Sequence, residues 1–357
     1  MTDRKSKLLQ LSLILTAALA GALAARVMGW PIPFLLGSLV ATAILALTIA
    51  SRTGSPVFFP RPVREVFIAV IGTMIGTTFT PDVLSILPTL AVTLCAMMGF
   101  VVLAQASNYA IFRQLGGYDQ ATAFYAAMPG GLIEAVEMGT KAGGDVETLS
   151  IQHFVRIVLV ILIVPMLFLV ATGETVGSAA NQSLEKGPSD WRDWMVVALI
   201  ALVGLWIGKL SRLPAAPLIG PLVLTAILQS SGAVDLGGPA ALLNLAQLIV
   251  GASLGAQFAK TTPRRLLSAL ALGFVSVVVT LTIASGLALT LGQFIPLSFQ
   301  TLLISFAPGG VTEMSLIALS LGASPVLVST HHLFRILFTV GIAGVLFKRL
   351  GNGPPET

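Results

Sequence analysis

Charged side chains are the scarcest class in this chain of 357 residues: they fill 10% of its positions, against about 25% in a soluble domain, while 55% are hydrophobic. A fold with so little charge cannot cover itself in water, so a soluble globular class is excluded. Cysteine is almost missing. The single Cys95 lies inside an apolar stretch, which excludes an internal disulfide and a cysteine-based metal site. Histidine occurs at His153, His331 and His332 alone. Two of the three are adjacent, and neighbours on a helix point about 100° apart, so no ligand set for a metal emerges and no cofactor is implied. A basic face is absent as well. The formal charge is +5 and the pI about 9.7, yet Lys and Arg are scattered singly through short connections, which offers nucleic acid no patch to bind.

What fills the chain instead is a series of apolar segments between Leu8 and Phe347, each near the roughly 20 residues that cross a ~30 Å hydrocarbon core. They predict an all-α polytopic membrane protein whose main surroundings are the lipid bilayer. The first segment, Leu8 to Ala25, follows Arg4, Lys5 and Lys7 as a signal peptide would, but its apolar run is long and more spans follow. It reads as a retained first helix.

The chain also repeats itself. Pro129-Gly130-Gly131 recurs as Pro308-Gly309-Gly310, and the same offset of 179 pairs Glu134 with Glu313, His153 with His332 and Arg156 with Arg335. It further pairs Gly72, Gly76 and Phe79 with Gly251, Gly255 and Phe258, while LVATAIL from Leu39 matches LVLTAIL from Leu222 at an offset of 183. The most polar stretch, Thr172 to Asp193, separates the copies. The expected organisation is repeat 1 over 1–175, a polar linker over 176–191, repeat 2 over 192–349 and a tail over 350–357.

Each half reads as six apolar elements: about 8–28, 33–51, 65–80, 83–112, 119–140 and 147–171, then 192–211, 214–231, 240–259, 266–292, 298–320 and 325–347. If all twelve crossed, Lys and Arg would divide eleven to seven between the faces, a weak bias. If each fifth element, which holds the Pro-Gly-Gly, enters and leaves on one face, the division becomes fifteen cytoplasmic to three external, leaving out Arg156 and Arg335. Five crossings per copy then put the N-terminus inside, the linker outside, and the second copy upside down relative to the first. Inverted repeats are a transporter signature.

The tripeptide itself carries physical meaning. Proline removes a backbone donor and clashes with the preceding turn, and two glycines weaken the helix further, so the backbone should open there. Groups freed at membrane depth must face protein or a watery cavity, where they can hold a solute; an ordinary loop at the membrane surface is the plainer alternative. Glu134 and Glu313 come five residues after their prolines. Arg156 and Arg335 lie within apolar segments, where an ionisable group costs roughly 3 kcal/mol, so both pairs should face inward and find partners. One reading ties glutamate to arginine as a structural pair. The other gives the arginine forks and the restarting helix N-termini to a carboxylate or phosphate, with the glutamates taking a proton or cation. His153 and His332 precede their arginines by three residues, on one helical face, and could relay a proton or simply sit at a helix start. The Gly-xxx-Gly pairs read as close helix contacts.

The segments AMPGGLIEAVEMG from Ala127 and FAPGGVTEMSLIALSLGAS from Phe306, each leading into a His-x-x-Arg helix, resemble the duplicated bacterial AbrB membrane family over nearly the whole chain. The resemblance implies a bacterial inner-membrane protein. It also brings labels, ammonia monooxygenase or AbrB-type transcriptional regulator, that these residues do not carry directly: an oxygenase needs several histidines or carboxylates on copper or iron, and a DNA binder needs a basic element outside the membrane. A broken helix followed by an apolar helix is also similar to the bile acid/sodium symporter group, over the third to sixth elements of each half.

The expectation is therefore an ion-coupled secondary transporter, not an enzyme, that moves a small anionic solute. Its site would comprise Pro129, Gly130, Gly131, Glu134, His153 and Arg156 with Pro308, Gly309, Gly310, Glu313, His332 and Arg335. The alternative is a membrane sensor or regulatory protein that affects gene expression indirectly. Small molecules or ions are the implied partners, nucleic acid is not a direct one, and a homo-oligomer is left open.

Overall fold

A computed structural model describes residues 2–53, 57, 59–79, 87–173, 191–213, 215–236, 239–260 and 263–349. The polar linker around Glu185 and the tail from Leu350 lie outside them. The described residues form fourteen α-helices: α1 (Thr2–Val27), α2 (Pro33–Thr53), α3 (Arg61–Gly76), α4 (Leu87–Ala110), α5 (Gln120–Ala126), α6 (Leu132–Lys141), α7 (Val146–Thr172), α8 (Trp191–Leu210), α9 (Ala216–Ser230), α10 (Ala240–Gly255), α11 (Pro263–Leu291), α12 (Phe299–Phe306), α13 (Val311–Ser320) and α14 (Pro325–Arg349). Away from water each backbone group must be satisfied within its own segment, which leaves helix as the stable form of an apolar run. Proline opens α2, α11 and α14 at the first position, where its missing N–H costs no helical bond. Eight of the helical stretches are long and apolar enough to cross a membrane. The chain is a polytopic, all-α membrane protein. As expected, the fifth element of each half is two short helices, α5 with α6 and α12 with α13, instead of one.

Two compact units emerge, and each takes elements from both halves of the sequence. The first comprises residues 1–84, 162–262 and 315–326; the second comprises 85–161, 263–314 and 327–357.

The first unit is held together by glycines. Gly21 and Gly37 back onto each other where α1 and α2 run antiparallel, and Gly204 meets Pro221 and Gly220 where α8 and α9 do the same. Gly251 lies under the Leu35 carbonyl and Gly255 under the Leu39 carbonyl and Thr42, so α10 runs parallel to α2. Gly72 lies under the Leu218 carbonyl and Gly76 under the Leu222 carbonyl and Thr225, so α3 runs parallel to α9. The two sets of partners are related by the offset of 183. Lipid gives helices no hydrophobic reason to associate, so this backbone-to-backbone approach supplies the contact energy, and the Gly-xxx-Gly stripes are packing devices as expected. Lys209 closes the α8 end onto Glu65 of α3 at 2.5 Å.

In the second unit α4 and α11 run antiparallel. Ser276 donates to Asn108 Oδ1 at 2.7 Å, the Asn108 amide donates to Thr280 Oγ1 at 3.1 Å, and Gly116 lies beside Leu272. Helix α7 runs parallel to α11: Arg265 pairs with Glu147 near their starts, and Gly273 meets Val155 farther on. The first broken element doubles back. Asp119 caps α5 by accepting from the Thr122 amide at 2.9 Å, and the Asp145 amide, just past α6, donates to Thr122 Oγ1 at 2.8 Å. Its beginning and end are therefore neighbours. On its inner side Phe124 and Tyr125 pack against Phe347 of α14, ring centres 5.2 Å apart in both cases.

Candidate functional site

Both breaks lie in the second unit. In the first, α5 ends at Ala126 and α6 begins at Leu132, with Pro129, Gly130 and Gly131 buried between them. Gly131 takes a φ of 70°, a left-handed conformation that glycine adopts without steric cost, and serves as the N-cap of α6. Gly130 rests on the backbone of Ile336 and Gly131 on the Val340 side chain, so the break of the first half is seated on α14 of the second.

The carbonyls that the break releases are taken up by α7. Arg156 donates from one terminal nitrogen to the Met128 carbonyl, and His153 Nε2 donates to the Tyr125 carbonyl at 2.9 Å. The second break repeats this geometry. Arg335 donates to the Ala307 carbonyl at 2.5 Å and the Gly309 carbonyl at 2.7 Å, and His332 Nε2 donates to the Ile304 carbonyl at 3.0 Å. Four of these bonds span the same 28 residues, two in each half. A carbonyl can only accept, so the proton lies on Nε2 of both histidines. His332 Nδ1 is then free to accept from Arg335, 3.2 Å away.

Each arginine was expected near a carboxylate or a bound anion. Among the described residues no ion pair contains Arg156 or Arg335. The reason is local: the last carbonyls of a helix carry a partial negative charge, and the broken segments present several of them directly to the guanidiniums. Both side chains are nearly fully buried, at 5% and 1% exposure, and both keep an Nε without a partner among the described residues. A guanidinium has five N–H donors. Arg335 spends three, whereas Arg156 spends one.

The glutamates diverge. Each is the third residue of its restarted helix, a favourable place for negative charge, and each carboxylate bends back toward the capping glycine, Gly131 or Gly310. Glu313 is 5% exposed. Glu134, expected to face inward, is exposed instead, because α6 buries Ala135 and Gly139 and turns Glu134, Glu137 and Lys141 outward. Pro308 and Gly309 are buried and Gly310 is half-buried. Sequence reasoning did not find the carbonyl acceptors at Tyr125, Met128, Ile304 and Ala307. No side chain marks them, and the repeated spacing of 28 is visible only in space. No group of three or more His, Cys, Asp or Glu that could hold a metal occurs among the described residues.

These clamped breaks occur in a chain whose residues 34–351 match the family described as "Transition state regulatory protein AbrB". The chain belongs to the AbrB family. It is 27% identical to the "Putative regulator AbrB" of Escherichia coli (strain K12) over 315 residues, 87% of this chain and 88% of that protein. It is 24% identical to the "Uncharacterized protein YhjN" of Bacillus subtilis (strain 168) over 295 residues, 79% of this chain and 77% of that one. These AbrB family names speak of regulation or leave the activity open, and neither assigns a role to the clamped breaks.

Proposed function

We propose that this AbrB family member is an ion-coupled secondary transporter that binds one small anionic solute between its two broken elements. The observation that carries this reading is the pair of buried guanidiniums, each anchored on a break and each keeping N–H donors unspent. The opposed helix ends at each break roughly cancel. Neither buried guanidinium is in an ion pair among the described residues, and a bound monoanion would offset the cost of keeping positive charge out of water. The antiparallel run of the equivalent helices α4 and α11 and the doubled-back α5 and α6 support an inverted repeat. With the charge division of the loops, they favour a cytoplasmic N-terminus in a bacterial inner membrane. No catalytic step is assigned to the site.

The test is counterflow into liposomes by the purified protein, using solutes first found by thermal shift across organic anions and cations. Saturable exchange of an anion that disappears in Arg156→Gln supports the reading; exchange of cations alone would overturn it. The name of the Escherichia coli relative favours a second reading, a membrane regulator that senses the same solute. Binding with no counterflow would identify that case.

A further inference from the structure

A second polar cavity, distinct from the breaks, lies where α4 ends and α7 and α11 begin. It has a volume of about 150 Å³ and is lined by Tyr118, Thr148, Ile151, Gln152, Arg265 and Ser268 among others.

Several devices fix Tyr118 there. Helix α4 ends in a π-turn over Ile111–Leu115, a rare feature that is frequent at functional sites. The Tyr118 ring stacks on Phe112 with centres 5.8 Å apart, its carbonyl accepts from Arg113 at 2.6 Å, and its hydroxyl accepts from the Gln152 amide at 2.7 Å. Burial holds the phenol above its ordinary pKa, so it remains a protonated donor. Having accepted from Gln152, the hydroxyl has its own proton to give. Gln152 is 2% exposed, and its Oε1 has no partner among the described residues. At the rim stands Arg265, paired with Glu147. The cavity is thus lined by a cation, a neutral donor and the buried Gln152, whose amide oxygen has no partner among the described residues.

The duplication does not repeat it. The offset of 179 puts Leu297 for Tyr118, Leu327 for Thr148 and His331 for Gln152, and His331 is turned to the Leu327 carbonyl at 2.8 Å. Where the clamps of both halves match, this constellation takes residues from both halves and its residues from the first have no counterparts in the second.

We propose that the cavity is a binding site for a small carboxylate that also carries a hydrogen-bond donor, such as a hydroxy acid, independent of the site at the breaks. The carboxylate meets Arg265 and the Tyr118 hydroxyl, and the donor satisfies Gln152 Oε1. A carboxylate without that donor leaves a buried acceptor unpaired, which is how polar sites reject close analogues.

Thermal-shift titrations of the full-length protein in nanodiscs, with lactate and with propionate, test this. Lactate should give a saturable shift with an affinity at least tenfold better than that of propionate. Arg265→Gln and Tyr118→Phe should each weaken lactate about tenfold, and Glu147→Gln, which frees Arg265, should strengthen it. Arg156→Gln, which disables the breaks, should leave lactate binding intact. The proposal is overturned by no saturable response to lactate, by equal affinity for the two acids, by full lactate affinity in Arg265→Gln, or by loss in Arg156→Gln.

Discussion

Arg335→Gln removes three hydrogen bonds at once: to the carbonyls of Ala307 and Gly309 and to His332 Nδ1. A buried polar group left unpaired costs about 1–3 kcal/mol, and a glutamine amide can recover part of one, so the loss should be about 3–6 kcal/mol. For a chain of this size that corresponds to a fall in melting temperature of about 4–8 °C. Arg156→Gln strips one bond, from the Met128 carbonyl, and should lose about 1–3 kcal/mol, or about 1–4 °C. Solute binding should rank the other way. Arg156 has more unspent donors, so Arg156→Gln should weaken solute affinity the more strongly of the two. Melting curves and solute titrations on the same purified variants decide it. If Arg156→Gln melts lower than Arg335→Gln while its solute affinity is unchanged, the division into a clamping and a binding arginine is wrong.

Other outcomes are equally specific. In a Cys95→Ala background, cysteines placed at Gly117 and Gly143 should label from the same face of the membrane, because the ends of the doubled-back element meet at Thr122 and Asp145; labelling from opposite faces would refute the re-entrant element. Gly131→Ala should cost about 1–2 kcal/mol of melting stability and impair counterflow, since a methyl group at φ 70° is strained and also meets Val340. Gly143→Ala, at φ 87° but in open space, should show the backbone strain without the loss of counterflow. Gly251→Ala should destabilise by about 1–3 kcal/mol, because its methyl group would collide with the Leu35 carbonyl and Ser38, and loss of thermal stability in detergent reports it.

The helix breaks were legible in the sequence because proline and glycine act on the backbone wherever they occur, and Pro129 and Pro308 announce themselves. The close contacts at Gly72 and Gly251 were legible for the same reason, since a missing side chain has one geometric consequence. What Arg156 and Arg335 hold was not legible. Their partners are carbonyls, which every residue has, so no residue type points to Met128 or Ala307. Nor was the exposure of Glu134, which depends on which face of a ten-residue helix is buried, while Glu313, its sequence equivalent, is covered. The cavity at Tyr118 was missed because its members are ordinary polar residues far apart in the chain. The interleaving of the halves into two units depends on pairings such as α2 with α10 that apolar patterning does not encode.

The seating of Gly130 on Ile336 has a consequence for stoichiometry. Residue 335 holds the second break, and its immediate neighbour carries the first. On the proposed reading, a solute that displaces one break pushes on the same turn of α14 that fixes the other, which couples the two copies of the motif. Duplication by itself would suggest two equivalents of solute per chain; on the proposed reading this shared turn favours a single one.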